Sequence, residues 1–510
     1  MAALVRNTLT VFILALSAKS LGFLRDIIFV NKFGAGLSTD TLYAALNIVD
    51  FMILFSGLET LQSVATTILT RKEVRDDDVS GMYTSLLIVI ASLGGTISLC
   101  TFAFARPLCA LMLPGFSAEV AGAMSGYLRV MAAMVLFKAA FQVFCSIFGI
   151  RGMFFSQNIF QLLINICVVV TILASAASSV VFNLSVAFSI LYVVFSMAQF
   201  ALLHRAHYVL QSRSIGHILH DGRSIARLSM PLLWVSIAYS LSGIVDKAVA
   251  SHFGQGLITA LNITFNLCFI SIHIVLVPLS NVLFPRFSRA YFSNRLLDMQ
   301  TDFRRGLNFV MLVFIPAALF LVFFSRSTIA GIAFSKNMPA ETIEQMVNIT
   351  RIYGATLLFR ALYFLPVFAL QAAQLNVIVG ITGCAVFLFN VGCCLVFSRL
   401  LGYIGIPWAS AATFTLYSVV VLLQVRRHLG IVFARDMLAK AAKALVCALG
   451  ASALALITPS ITAAWDIGRA RGPAMLVEVA IVFCAFYCIL IALMNGKAVV
   501  ALVRDLFART

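Results

Sequence analysis

The sequence predicts an all-α, polytopic membrane protein. Three observations carry that class. Of 510 residues, 62% are hydrophobic and 11% charged, against about 45–50% apolar and about 25% charged in soluble domains. Apolar runs long enough to cross a bilayer, about 20 residues each, recur about fourteen times between polar breaks. Basic residues gather in alternate breaks, as they do where loops report membrane orientation. Mean hydropathy is +1.04. Together these exclude a soluble multi-domain enzyme, a disordered chain and a secreted disulfide scaffold.

Span 1 covers 8–31. Met1 to Ser20 imitates a signal peptide, with Arg6, an apolar run and small residues at Ser17 and Ala18. Apolar character resumes at Leu21 and runs to Val30, so one membrane helix is expected. Spans 2 to 6 cover 42–69, 80–104, 125–148, 153–177 and 181–203. Spans 7 to 12 cover 229–251, 262–285, 305–325, 347–371, 376–398 and 405–425. Spans 13 and 14 cover 437–458 and 473–494. Turn chemistry marks the breaks at Gly34-Ala-Gly36, Asp76-Asp77-Asp78, Pro114-Gly115, Gly222 and Gly472-Pro473. Pro278, Pro316 and Pro366 lie inside spans, where proline kinks helices. Val209 to Leu228 reads as a basic amphipathic connector on the anionic inner leaflet. The nearby His204-x-x-His207 and His217-x-x-His220-Asp221 spacings read as an interfacial loop, with no metal expected.

The net charge of +17 would suggest nucleic acid in a soluble protein. Here it is mainly an orientation signal, and no nucleic acid is expected as a partner. With a cytoplasmic N-terminus, same-side segments hold about 22 basic residues, among them Arg71, Lys72, Arg205, Arg286, Arg427 and Lys497, and opposite loops about nine. Both termini are therefore expected in the cytoplasm. The 11 cysteines lie almost entirely within apolar runs and read as packing residues.

An internal repeat is visible at an offset of 220. Leu21, Asp26, Phe33, Gly34, Gly36, Leu37 and Thr39 fall on Leu241, Asp246, Phe253, Gly254, Gly256, Leu257 and Thr259. Each half holds six spans, an even number, so the halves insert the same way up, as in parallel-repeat transporters. The expected organisation is 1–204, a six-helix repeat; 205–228, the connector; 229–428, the second repeat; and 429–510, two additional helices. Gly34, Gly36, Gly254 and Gly256 are the expected hinges.

The informative residues are the ionisable ones inside spans, each costing about 2.5–3.5 kcal/mol at a helix centre on the insertion scale. Span 1 holds Lys19, Arg25 and Asp26, and span 2 Asp50 and Glu59. Lys138 lies in span 4, Asp246 and Lys247 in span 7, and Arg360 in span 10. Lys19 and Asp26, seven apart, share a helix face, and Arg25 adjoins it. An anion site is expected from Arg25, Lys19, Lys138 and Arg360, because guanidinium groups offer phosphate paired hydrogen bonds. Asp26, Asp40, Asp50 and Asp246 are the candidate cavity or coupling carboxylates. The same residues also read as buried ion pairs fixing helix packing, such as Arg25 with Asp40 or Asp246 with Lys247. No P-loop, HExxH or GxSxG occurs, and no loop has room for a soluble catalytic domain. A transporter is expected, without a bound cofactor. It would draw on a coupling cation, H⁺ or Na⁺, or on the membrane potential, about 2.3 kcal/mol per charge per 100 mV.

Leu21-Gly-Phe-Leu-Arg-Asp26, Phe33-Gly-Ala-Gly36 with Thr39-Asp40, and Leu283-Phe-Pro-Arg-Phe-Ser288 resemble the MurJ (MviN) family. These are lipid II flippases of the multidrug/oligosaccharidyl-lipid/polysaccharide exporter superfamily. The fourteen-helix count resembles it too. The resemblance implies an inner-membrane flippase of a polyprenyl-pyrophosphate-linked precursor, lipid II foremost, in peptidoglycan biosynthesis. It implies a pyrophosphate held by Arg25, with Asp26 and Asp40 matching acidic neighbours, and a lipid-tail groove on spans 13 and 14. Lys19 stands where the family has arginine. Two further family arginines fall on Ile53 and Asn266, and Lys138 and Arg360 are the candidate replacements. The expected partners are a lipid-linked glycan precursor, membrane lipids and cell-envelope synthesis enzymes, with the chain a monomer. The alternatives are a flippase for an O-antigen or exopolysaccharide repeat unit and an ion-coupled drug exporter.

Overall fold

A computed structural model describes residues 2–507, apart from 59–60, 62–64, 66–67, 70–77, 151–153, 206–209, 212–213, 336, 432–434 and 458–470. Glu59, Arg71, Lys72, Asp76, Asp77 and His207 lie outside the described residues. The described secondary structure is helical: α1 (Ala2–Phe33), α2 (Leu37–Phe55), α3 (Val79–Ala103), α4 (Ala105–Met112), α5 (Ala118–Ile150), α6 (Phe154–Ala174), α7 (Val180–Arg205), α8 (Ile215–Ala250), α9 (Leu257–Phe292), α10 (Leu296–Phe323), α11 (Ser325–Ile332), α12 (Ala340–Leu362), α13 (Phe364–Ala372), α14 (Asn376–Leu401), α15 (Gly405–Leu429), α16 (Arg435–Ile457) and α17 (Arg471–Phe507). Each sequence-predicted span overlaps at least one of these helices. Among the described residues, ten segments are long and apolar enough to cross a membrane. Helices satisfy their own backbone groups in lipid, which is why the apolar runs take this form.

Three expected boundaries differ. Span 2 is not one helix, because α2 stops at Phe55 and Gly57 turns the chain at φ +77, a conformation that only glycine adopts cheaply. Gly222 does not break the chain. The second part of the connector and span 7 form the single helix α8, 36 residues long. Asp221 ties that helix to α3 by accepting from the Ser85 hydroxyl at 2.7 Å, a buried bond. Gly472-Pro473 lies in the first turn of α17, where proline's missing N–H costs nothing. Pro366 does act as a breaker: α12 ends at Leu362, four residues before it, and α13 resumes at Phe364. Cys484 and Cys488 are exposed on α17, the span with the smallest buried share (11%), so these two are not interior packing residues.

The chain forms two compact units, Met1–Thr259 and Ala260–Thr510. In the first, α5 is the central helix, packing against α2, α3, α4, α6 and α7. Its small residues Ala132, Ala139 and Ala140 are buried at these contacts. Helix α8 opens the second repeat in sequence but packs in this unit, against α2, α3 and α4. Gly115 allows one close approach. A Cβ there would lie 2.3 Å from the Ser251 carbonyl carbon and oxygen, and the Gly115 N–H donates to Ser251 Oγ at 2.9 Å. Gly115→Ala is expected to destabilise the protein by about 1–3 kcal/mol through overpacking, read as a lowered melting temperature in detergent.

In the second unit α10 packs on α12, α16 and α17, and α14 pairs with α15. The trailing helices α16 and α17 are held by apolar clusters, one joining Phe320 and Phe324 to Ala451, Ala455 and Phe483, another joining Ile315 to Ala444 and Ala448. The Tyr487 hydroxyl adds a bond to the Leu312 carbonyl at 2.8 Å.

The sequence repeat is also a backbone repeat. Helix α3 breaks at Phe104 (φ −100, ψ 20) before α4, and α10 breaks at Phe324 (φ −107, ψ 23) before α11. Phe104 and Phe324 are again 220 apart.

Candidate anion-binding site

The site is built on α1, in the half nearer its C-terminus. Arg25 Nη2 and Nε both donate to Asp26 Oδ1, at 2.7 and 3.0 Å. Arg25 Nη1 donates to Asn165 Oδ1 on α6 at 3.1 Å, and Asn165 Nδ2 donates to the Ala18 carbonyl at 3.0 Å. The Arg25 guanidinium lies 5.6 Å from the Phe188 ring centre on α7. Asp26 is 6% exposed. The anticipated Arg25–Asp40 pair does not form; Asp26 takes that place because its carboxylate is adjacent on the same helix.

A guanidinium has five N–H donors. Three are used here, leaving one N–H on each terminal nitrogen. Those two N–H groups remain to donate to the oxygens of a phosphate. Lys19 is exposed on the same helix and makes no ion pair among the described residues.

Lys138 on α5 forms an ion pair with Asp50 on α2 and lies 5.8 Å from the Tyr192 ring centre on α7. Lys247 on α8 donates to the Gly243 carbonyl at 3.2 Å. Arg25, Lys138 and Lys247 thus share one unit with Asp26, Asp50 and Asp246. Arg360 belongs to the second unit and is 9% exposed.

Asp40 stands apart, 0% exposed. It accepts from the Gly256 N–H at 2.6 Å, the Thr259 N–H at 2.8 Å and the Thr259 hydroxyl at 2.5 Å. It therefore caps the N-terminus of α9, filling the part of an N-cap carboxylate from another helix. Its neighbour Thr39 meets its own repeat mate, hydroxyl to hydroxyl, with Thr259 Oγ1 and Thr39 Oγ1 3.0 Å apart. Of the expected hinges, Gly34, Gly254 and Gly256 hold positive φ of 78, 100 and 90. Gly36 is extended at φ −166, a conformation open to any residue.

Asn165, Tyr192 and Phe188 do not stand out in the sequence. They are uncharged, and uncharged residues inside apolar spans carry no distinguishing signal. Lys32 donates to the Ile172, Leu173 and Ser175 carbonyls at 2.9, 2.7 and 3.0 Å. It neutralises the C-terminal end of α6.

A helical, multi-span membrane fold with charges built into its interior is the class that these features define. In sequence, residues 29–471 match the family model "Lipid II flippase MurJ", and the chain belongs to that family. It is similar to the "Probable lipid II flippase MurJ" of Buchnera aphidicola subsp. Schizaphis graminum, at 23% identity over 338 residues. That match covers 63% of this chain and spans 64% of the relative's length. Among solved structures it resembles a lipid II flippase MurJ in an inward closed conformation, at TM-score 0.80 and 15% identity, covering 96% of this chain and all of that one. It also resembles an inward-facing multidrug resistance MATE family transporter of the MOP superfamily, at TM-score 0.70 and 17% identity, covering 81% and 94%.

Proposed function

We propose that the protein is a flippase. It carries a polyprenyl-pyrophosphate-linked cell-envelope precursor, lipid II foremost, from the cytoplasmic to the periplasmic leaflet by alternating access, with both termini in the cytoplasm. Family membership supports the substrate class. The carrying observation is the Arg25 guanidinium, held by Asp26 and Asn165 with one N–H left on each terminal nitrogen. Binding is then a hydrogen-bonded grip on the pyrophosphate, made where lipid would otherwise leave the headgroup unsolvated. Lys19 and Lys138 add positive potential, Lys138 at the expense of its bond to Asp50. Asp26 and Asp246 are the carboxylates through which H⁺ or Na⁺ couples to opening, because a carboxylate between alternating environments changes its affinity for a cation. The chain acts as a carrier, not as an enzyme.

The test is rescue of a bacterial strain depleted of its own lipid II flippase. The unaltered chain should restore growth and cell shape, and Arg25→Ala should abolish rescue while the protein still inserts. A flippase for an O-antigen or exopolysaccharide repeat unit would share the pyrophosphate and the Arg25 chemistry. Failure of the unaltered chain to rescue, with restored O-antigen display in a strain lacking that flippase, would favour it. Full rescue by Arg25→Ala would refute the site.

A further inference from the structure

The two units carry a second correspondence, at an offset of 222 instead of 220. Val135-Leu-Phe-Lys-Ala-Ala-Phe141 aligns with Leu357-Leu-Phe-Arg-Ala-Leu-Tyr363, which makes Lys138 and Arg360 mates. The surroundings agree. Ser196 Oγ donates to the Phe137 carbonyl at 2.6 Å, and Ser418 Oγ donates to the Phe359 carbonyl at 2.5 Å. Ser196 and Ser418 are also 222 apart. Tyr192, the ring beneath Lys138, corresponds to Phe414, a ring beneath Arg360 at 4.6 Å. Each unit therefore places one cation at the same point of the same helix pair, over an aromatic face.

The two points differ in their anion. In the first unit Asp50 is bonded to Lys138. The corresponding residue of α9, at the 220 offset, is Ile270. Arg360 instead sits among three rings, 4.5 Å from Phe265, 4.0 Å from Phe269 and 4.6 Å from Phe414. Its Nε and Nη1 are buried and reach no acceptor among the described residues. Rings stabilise the charge through their faces, but they accept none of the guanidinium's in-plane N–H bonds. An unmet buried charged donor costs more than a neutral one.

We propose that Arg360 is the core of a second anion site, selective for a phosphate oxyanion, and that Asp50 is the internal carboxylate occupying the equivalent site on Lys138. The choice of phosphate rests on the flippase reading, and the site itself rests on the unmet donors. The aromatic box holds the guanidinium by its faces and leaves its in-plane donors, Nε–H on one edge and Nη1–H on the other, for the oxygens of an anion. The repeat thus presents a single arrangement twice, once closed by its own carboxylate and once with its donors unmet.

The experiment places an indole at the box. Phe265 is half-buried, and Phe265→Trp is the first reporter; Phe414→Trp is the second. The full chain in lipid nanodiscs is titrated with inorganic pyrophosphate, with chloride at matched ionic strength as the control. The three native tryptophans are subtracted using the chain without the reporter. Saturable change in the reporter's emission with pyrophosphate is expected, with Arg360→Gln weakening it about tenfold or more and Arg360→Lys retaining it in part. Ile270→Asp, which supplies the missing internal carboxylate, is expected to weaken it similarly and covers the case in which Arg360→Gln fails to insert. No emission change, a change that survives Arg360→Gln or Ile270→Asp, or an equal response to chloride would overturn the proposal. A chain that fails to rescue the depleted strain yet gives this titration refutes the lipid II reading and keeps the site; rescue without the titration does the reverse.

Discussion

Asp40→Ala is expected to cause a large loss of stability. The carboxylate is 0% exposed and accepts three bonds, two from backbone N–H groups at the start of α9 and one from the Thr259 hydroxyl. Alanine removes the acceptor and leaves those donors buried without partners. Hydrogen bonds to charged groups contribute about 1.5–3 kcal/mol each, and breaking a buried charged arrangement from one side costs about 3–5 kcal/mol. A loss of about 3–5 kcal/mol is expected, read as a lower melting temperature in detergent and reduced abundance in the membrane. Asp40→Asn should lose less. Its amide oxygen keeps the bonds to Thr259, while its NH₂ meets the Gly256 N–H, donor against donor. Equal stability of Asp40→Ala and the parent would show that water or another group replaces the cap.

The second large effect separates binding from packing at Arg25. Arg25→Ala leaves the Asp26 carboxylate, 6% exposed, without its two N–H donors. An unpaired buried charge costs about 3–5 kcal/mol, so both stability and rescue should fall. Arg25→Ala with Asp26→Ala removes both charges, and a buried pair replaced on both sides costs far less than one broken on one side. The double variant should therefore regain most of the lost stability and still fail to rescue. Arg25→Lys tests the guanidinium separately. Lysine keeps the charge but cannot serve Asp26 and Asn165 and still present two donors. If the double variant rescues, Arg25 serves packing alone.

Several of these residues are legible in the sequence. Arg25 and Asp26 stand out because lipid makes an unexplained charge expensive, which narrows attention to a few positions. The offset of 220 is legible because Phe-Gly-x-Gly-Leu recurs ungapped. The offset of 222 is hidden by two extra residues in the second unit, between Phe324 and Leu357, ahead of the shared Leu-Phe-Lys/Arg-Ala core. Lys138 and Arg360 therefore look like unrelated cations until their surroundings are compared. Asp40 is legible as a buried acid but not as a cap, because its partners at Gly256 and Thr259 lie 216 and 219 residues away.

By itself the sequence determined the features set by local chemistry: helices wherever apolar runs exceed a bilayer, breaks at most glycine and proline clusters, and a short set of charges too costly to be incidental. The tertiary structure alone decided which partner each charge meets. Asp26 rather than Asp40 holds Arg25, Asp50 holds Lys138, and aromatic rings surround Arg360. The reason is physical. Helix formation and membrane crossing are summed over neighbours along the chain, whereas an ion pair depends on a few ångströms between groups that can lie far apart in sequence.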